Sequence, residues 1–99
     1  MDRLLDRVCL ITGSTGIAAA AAIRCASEGA SVFVISRTGD HARDLVDRVT
    51  ALGGRAAWAA ADLTVETEAD AAVGAALERF GRIDGVFSVM LARTIHRVI

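Results

Sequence analysis

Lysine, tyrosine and proline are absent from this sequence of 99 residues, and all eleven of its basic residues are arginine. Any reaction that depends on a tyrosine hydroxyl or a lysine amine is therefore excluded for the residues of this chain. An excess of charge of one sign is also missing, because eleven basic and twelve acidic residues leave a net charge of −1 without a block of like charges. This balance argues against a nucleic-acid partner and against a charged membrane-binding surface.

Cysteine is scarce, and long apolar runs are missing. The two cysteines, Cys9 and Cys25, form neither a CxxC motif nor a cluster with histidine, so we expect buried, reduced thiols in the core. No apolar run approaches the roughly 18 residues that a helix needs to cross a bilayer. We therefore predict no membrane segment and expect a cytoplasmic location. The hydrophobic share of 54% nevertheless excludes a disordered chain.

What the sequence does contain is an apolar run that ends in a glycine turn and continues into an alanine-rich segment. Residues 8–12 have the composition of a strand, Gly13 and Gly16 follow, and alanines begin directly afterwards. A strand, a tight turn and a helix start present unpaired N–H groups and the positive end of the helix dipole at one place, which suits a phosphate. A plain turn between strand and helix, with a glycine bend, accounts for the same two glycines equally well.

The rest of the chain alternates between strand and helix patterns. Helices are predicted at 17–28, 39–52 and 66–80, and further strands at 31–36, 55–61 and 83–91. This alternation predicts an α/β fold, a Rossmann-like doubly wound parallel sheet with about four strands and three helices in the strand order 3-2-1-4. Ligands of such sheets bind beyond the carboxyl ends of the strands, where the glycine turn lies.

Several short segments together resemble the short-chain dehydrogenase/reductase family. They are Thr12-Gly13 with Gly16-Ile17, Glu28-Gly29-Ala30, Leu52-Gly53-Gly54, Asp62-Leu63-Thr64 and Phe80-Gly81-Arg82-Ile83-Asp84. The likeness extends over roughly residues 6–88 and corresponds to the amino-terminal, cofactor-binding part of a longer family domain. It implies a truncated domain, with a nucleotide-binding half-domain over residues 1–90. Residues 91–99 would be an unrelated tail, as a frameshift or an early stop would produce.

The resemblance also implies a dinucleotide cofactor and the residues that bind it. The turn that begins at Gly13 would hold the pyrophosphate, and Asp62 with Leu63 would contact the adenine; the alternative for Asp62 is a turn or helix-capping role. Ser36 and Arg37 stand where an acid would select NAD, so the arginine favours the extra phosphate of NADP. NADP is therefore expected in preference to NAD. The implied cofactor-binding set is Thr12, Gly13, Ser14, Thr15, Gly16, Ile17, Ser36, Arg37, Asp62 and Leu63.

The glycine turn and the segment after the fourth strand depart from the family pattern. Only Ser14 and Thr15 separate the first two glycines, where the family has three residues, and Ala18 replaces the third glycine. The spacing also fits an extended branch of the family, with Ala19 in that last place. Further along, Ser88-Val89-Met90-Leu91 replaces an Asn-Asn-Ala-Gly segment. The shortened turn is expected to alter how the loop meets a pyrophosphate.

The third departure concerns the chemistry itself. Family members transfer a proton with a tyrosine whose pKa is lowered by a lysine, and the sequence contains neither residue. Neither a Ser-His-Asp arrangement nor a metal-ligand cluster offers a substitute. His41 is interpreted as an exposed helix residue and His96 as part of the tail, and neither is expected to act in catalysis.

Three functions follow from these observations. The first is an NAD(P)-dependent oxidoreductase, of which this chain keeps the dinucleotide-binding part without the catalytic tyrosine and lysine. The second is a non-catalytic nucleotide-binding or interaction module. The third, which is the weakest, is a methyltransferase-like domain that binds an adenosyl ligand. The fourth strand would also have an unpaired edge, so self-association through that strand is expected.

Overall fold

The computed structural model describes residues 3–14 and 16–88. Within them, strands and helices alternate: β1 (Val8–Thr12), α1 (Gly16–Ser27), β2 (Ser31–Ser36), α2 (Gly39–Ala51), β3 (Arg55–Ala60), α3 (Glu66–Phe80) and β4 (Gly85–Ser88). All paired strands are parallel, and their order across the sheet is β3-β2-β1-β4. The predicted α/β fold and strand order are confirmed.

β2 is buried along its whole length, and its side chains alternate between two cores on opposite faces of the sheet. Val32 and Val34 pack in the core that α1 and α2 cover, whereas Phe33 and Ile35 pack in the core that α3 covers. A continuous apolar run is what a parallel strand needs when helices cover both of its faces. The described residues therefore form three layers, with the sheet in the middle.

The small side chains of α1 let this helix lie close to the sheet. Its buried residues are Ala18, Ala19 and Ala22, and they share a core with Ile11 of β1. Alanine has the highest helix propensity and projects only a methyl group, so the same residues favour the helix and its close approach to the strand. This approach brings the start of α1 next to the end of β1.

The two cysteines are half-buried rather than fully buried. The predicted full burial is therefore wrong, although Cys9 and Cys25 both pack against the core between the sheet and α1. Burial raises the pKa of the Cys9 thiol to about 12, and the neighbouring Cys25 thiol adds to the shift. Because the thiolate is the reactive form, Cys9 acts as an apolar packing residue at neutral pH.

Asp84, in the turn before β4, joins this turn to the start of β1 at the amino end of the sheet. Its carboxylate accepts hydrogen bonds from the backbone N–H of Val8 at 2.8 Å and from the Arg82 guanidinium at 2.6–3.1 Å. Arg7 approaches from the other side at 3.4 Å. These donors, Arg82 foremost, lower the pKa of Asp84. Charge-assisted bonds of this kind fix the start of β4 beside β1.

The element boundaries agree with the prediction to within two residues, and β4 differs most. It was predicted from residue 83 but begins at Gly85, since Asp84 uses its side chain, rather than a backbone carbonyl, to accept the N–H of Val8. Residues 89–91, also predicted in this strand, lie outside the described residues, as do those of the tail. In the described part of the chain, none of the helices is long and apolar enough to cross a membrane.

Asp84→Asn is expected to lower the free energy of unfolding at neutral pH, because the neutral amide loses its charge-assisted bonds. A carboxylate with a lowered pKa in the folded state stabilises above its unfolded pKa of about 3.9 and loses this contribution as the pH falls through the folded pKa. The wild-type protein should therefore lose more stability than Asp84→Asn below about pH 4. Denaturant unfolding at a series of pH values from acidic to neutral gives the free energy of unfolding of both proteins.

Asp47→Asn is the matched control, because Asp47 is exposed on α2 and its side chain has no hydrogen bond among the described residues. The free energy of unfolding of Asp47→Asn should change with pH as that of the wild type does. If Asp84→Asn followed the wild type as well, the carboxylate would not hold these segments together.

Candidate functional site

A cleft of about 560 Å³ opens at the carboxyl ends of β1, β2 and β3. The strand order reverses at β1, which lies between β2 and β4, and the loop after β1 forms one wall of the cleft. Such sheets bind ligands beyond the carboxyl ends of their strands. Three loops line it, one after each strand. The lining residues are Thr12, Gly13, Ser14, Ile35, Ser36, Arg37, Thr38, His41, Ala61, Asp62, Leu63 and Thr64.

The structure brings most of the predicted cofactor-binding residues together. Those that line the cleft are Thr12, Gly13, Ser14, Ser36, Arg37, Asp62 and Leu63. Gly16 and Ile17 are not among its lining residues: Gly16 borders a separate groove along α1, and Ile17 is 68% exposed. Thr15 lies outside the described residues. The first half of the glycine turn thus faces the cleft, and the second half forms the first turn of α1.

Gly13 makes the sharp turn at the end of β1 possible. Its φ of 97° is a conformation that residues with a side chain rarely adopt. Its N–H donates to the carbonyl of Ile35 at 2.7 Å, which ties the turn to the end of β2. A Cβ on Gly13 would lie 3.1 Å from the Cβ of Ala18. The missing side chain at Gly13 therefore leaves room for the methyl group of Ala18. This explains how α1 packs against the turn with an alanine in place of the third glycine.

A pair of buried hydroxyls joins the first two loops. The Oγ atoms of Ser14 and Ser36 are 3.0 Å apart, and the backbone N–H of Thr38 donates to Ser36 at 3.2 Å. A hydroxyl offers one hydrogen and two lone pairs. When Ser36 accepts from Thr38 and donates to Ser14, the hydrogen of Ser14 is available to an oxygen atom of a ligand.

The second loop supplies the positive groups of the cleft. Arg37 follows β2 directly and has no ion pair among the described residues. α2 begins at Gly39, and its N-cap Thr38 makes no side-chain bond to the helix, so the first-turn N–H groups have no side-chain cap. His41 lies in this first turn and lines the cleft. It is exposed, as predicted, but its place in the cleft was missed, because the helical pattern of α2 does not show which side of the helix faces the cleft.

The third loop is shaped by Asp62. Its Oδ1 accepts from the backbone N–H of Thr64 at 3.0 Å and from the Thr64 hydroxyl at 2.6 Å. Its own N–H donates to Glu68 at 2.9 Å. The bonds from Thr64, and to a smaller extent the charge of Arg37, lower the pKa of Asp62. The turn role given as the alternative for Asp62 is therefore present, and the residue also lines the cleft.

The chemistry of the cleft is that of binding oxygen-rich ligands. Hydroxyls, backbone N–H groups, a guanidinium and an imidazole are donors to phosphate and ribose oxygens, and the Asp62 carboxylate is an acceptor. Within residues 3–14 and 16–88, no group of three or more histidine, cysteine, aspartate or glutamate side chains is arranged to hold a metal ion.

Comparison with known proteins agrees with this geometry. A family model described as short chain dehydrogenase matches residues 7–90. The chain belongs to the short-chain dehydrogenase/reductase family. Members of this family use NAD(P) as their nucleotide cofactor. The matched range begins just before β1 and includes all the described strands and helices.

Two curated relatives in the short-chain dehydrogenase/reductase family are reductases of small molecules. An A-factor type γ-butyrolactone 1′-reductase from Streptomyces virginiae is 46% identical over 86 residues, which are 86% of this chain and 34% of the relative. A levodione reductase from Leifsonia aquatica is 42% identical over 89 residues, with 87% and 33% covered. The chain spans about a third of the length of these relatives.

Solved structures of family members have the same arrangement. The crystal structure of a hydroxysteroid dehydrogenase from Escherichia coli matches with a TM-score of 0.85 and 36% identity, over 87% of this chain and 37% of the other. A short chain dehydrogenase from Mycobacterium smegmatis matches with a TM-score of 0.81 and 29% identity, over 87% and 38%. The described strands and helices therefore have the family's sheet geometry.

Gly13→Ala is expected to lower the free energy of unfolding by about 2–4 kcal/mol, because the methyl group adds backbone strain and crowds Ala18. Gly53→Ala is the matched control: Gly53 has a φ of 88°, but nothing lies within 4 Å of an added Cβ. It should cost only the backbone strain, about 1–2 kcal/mol. Urea denaturation measures both variants. Equal losses would contradict the contact between the turn and α1.

Proposed function

We propose that the cleft binds the adenosine half of a nicotinamide dinucleotide, and that this chain supplies the nucleotide-binding part of an NAD(P)-dependent oxidoreductase. The observation that carries the proposal is the meeting of three loops at the carboxyl edge of the sheet, each with predicted cofactor-binding residues in the lining. Family membership supports the same reading. The substrate of the reaction is not part of the proposal.

Each loop receives one part of the cofactor in this proposal. Thr12, Gly13 and Ser14 would lie along the ribose and phosphates, where the available hydrogen of Ser14 can be donated to an oxygen. The third loop would contact the adenine through Asp62 and Leu63. The first turn of α1, with Gly16 and Ile17, and Thr15 before it would complete the pyrophosphate site, because a helix start suits an anion.

NADP is the proposed cofactor, in preference to NAD. Arg37 lines the cleft directly after β2 and has no ion pair among the described residues. A guanidinium can bind a phosphate through two parallel hydrogen bonds. Ser36 precedes it, and the end of β2 carries no carboxylate that would repel the phosphate. Arg37 would therefore bind the phosphate on the adenosine ribose.

The boundaries, the location and the self-association of the protein also belong to the proposal. Residues 1–90 would form the dinucleotide-binding unit, and residues 91–99 would be a tail outside it. The protein would be cytoplasmic. In the part of the chain that the structure describes, β4 pairs only with β1. Its other edge thus has the unpaired backbone groups that a second chain could use, and self-association through this edge stays a prediction.

A non-catalytic nucleotide-binding module is the second candidate, and the composition favours it. Reduction of a carbonyl needs a proton as well as a hydride, and the 99 residues include neither a tyrosine nor a lysine to supply one. Among the described residues, the cleft contains no pair of groups that replaces them. The two candidates agree on cofactor binding and differ on turnover.

The 99-residue chain is expected to bind NADPH without consuming it in the presence of carbonyl substrates. The assay follows NADPH absorbance over a panel of ketones and aldehydes, with a carbonyl reductase that consumes NADPH as the active control. A rate above that of the buffer, after contaminating reductases have been excluded, would show that other residues transfer the proton.

Arg37→Ala is expected to weaken NADPH binding about 10- to 100-fold, which is the loss of about 1.5–3 kcal/mol for hydrogen bonds to a charged group. NADH binding should change much less, because NADH has no phosphate on that ribose. Calorimetric titration measures both affinities. Arg43→Ala is the matched control, because Arg43 is exposed on α2, pairs with Asp40 at 3.3 Å and is not among the cleft's lining residues. Equal losses for both nucleotides would give Arg37 a general role in the loop.

A further inference from the structure

His41 lines the cleft, but the proposed contacts with the cofactor do not yet use it. It stands four residues after Arg37, in the first turn of α2, and both side chains border the same space. Arg37 precedes the N-cap Thr38, so the end of β2 and the first turn of α2 each direct one of these residues to the cleft. A guanidinium and an imidazole therefore border one part of the cleft, on the side of β2.

The carboxylates nearby form no ion pair with Arg37 or His41 among the described residues, although the charges of Asp62 and Arg37 interact. Asp40 is 83% exposed, pairs with Arg43 at 3.3 Å and is not among the lining residues. Asp62 does line the cleft, but its Oδ1 already accepts two hydrogen bonds from Thr64. An anion that enters between Arg37 and His41 would thus meet donors from both residues.

The number of terminal oxygens on a phosphate determines how well it fits the Arg37 and His41 side chains together. A phosphate monoester has three terminal oxygens, and a guanidinium in its two-bond geometry satisfies two of them. The third oxygen is then available to an imidazole N–H. A ribose hydroxyl has a single oxygen and cannot engage both side chains in this way. A second donor beside the arginine therefore favours the phosphorylated ribose over the plain ribose.

We propose that His41 binds the phosphate on the adenosine ribose of NADP together with Arg37, and so determines specificity for NADP over NAD. This inference rests on the proposed function of the cleft. His41 has no part in hydride or proton transfer. Its contribution is confined to the phosphate, so it should leave the binding of the remainder of the adenosine unchanged.

The test uses two probes that differ only in this phosphate, adenosine 2′,5′-bisphosphate and 5′-AMP. His41→Ala should weaken binding of the bisphosphate about 10-fold, the lower end of what the loss of one hydrogen bond to a charged group gives, and leave 5′-AMP binding within about twofold. His41→Gln, which retains an N–H donor, should recover part of the bisphosphate affinity. Calorimetric titration of the wild-type chain and of each variant gives these ratios.

Binding of 5′-AMP also shows that each variant is folded, and Arg43→Ala should leave both affinities unchanged. Equal loss of both probes in His41→Ala, or no loss of either, would overturn the inference while leaving nucleotide binding intact. If the wild-type chain bound neither probe, the proposed function would fail, and the inference would fail with it.

Discussion

Parallel pairing of the strands is the constraint on which the rest of this structure depends. Because β1, β2 and β3 run in the same direction, their carboxyl ends meet at one edge of the sheet, and the three loops that follow them border one cleft. Parallel strands in turn require helices as connections, and these helices cover both faces of the sheet. The burial of β2 and the existence of the cleft therefore have the same origin.

The two ends of the sheet are held by different interactions. At the amino end, the Asp84 carboxylate accepts hydrogen bonds from Arg7 and Val8 at the start of β1 and from Arg82 in its own turn. At the carboxyl end, the contacts between the loops after β1 and β2 are neutral: the N–H of Gly13 donates to a carbonyl at the end of β2, and the Ser14 hydroxyl bonds to that of Ser36. Charged groups thus join β1 to the turn before β4 at the end of the sheet where no ligand is expected. In the cleft, Arg37 has no ion pair within the described residues and is available to a ligand.

Much of the fold could be predicted because its signals are local. The apolar run from Val32 to Ile35 and the glycines between the elements each act within a few residues, and they define the order of strands and helices. The site could be predicted only in part. The Ser14–Ser36 contact joins residues 22 positions apart, and no pattern in the sequence links them. The place of His41 likewise depends on how α2 leaves the sheet, and the helical pattern alone does not determine that direction.

The hydrogen bond between the Ser14 and Ser36 hydroxyls affects which ligand groups the first loop can bind. A serine that can rotate its hydrogen toward its partner or away from it offers a donor in one state and a lone pair in the other. Rotation about one bond therefore lets the Ser14 hydroxyl donate a hydrogen bond to a phosphate oxygen or accept one from a ribose hydroxyl. The bond depends on where the ligand oxygen lies and not on whether that oxygen is charged. The loop after β1 can thereby bind an oxygen atom of either ionic form, and in the proposed complex the arginine on the opposite side of the cleft would be the group that responds to charge.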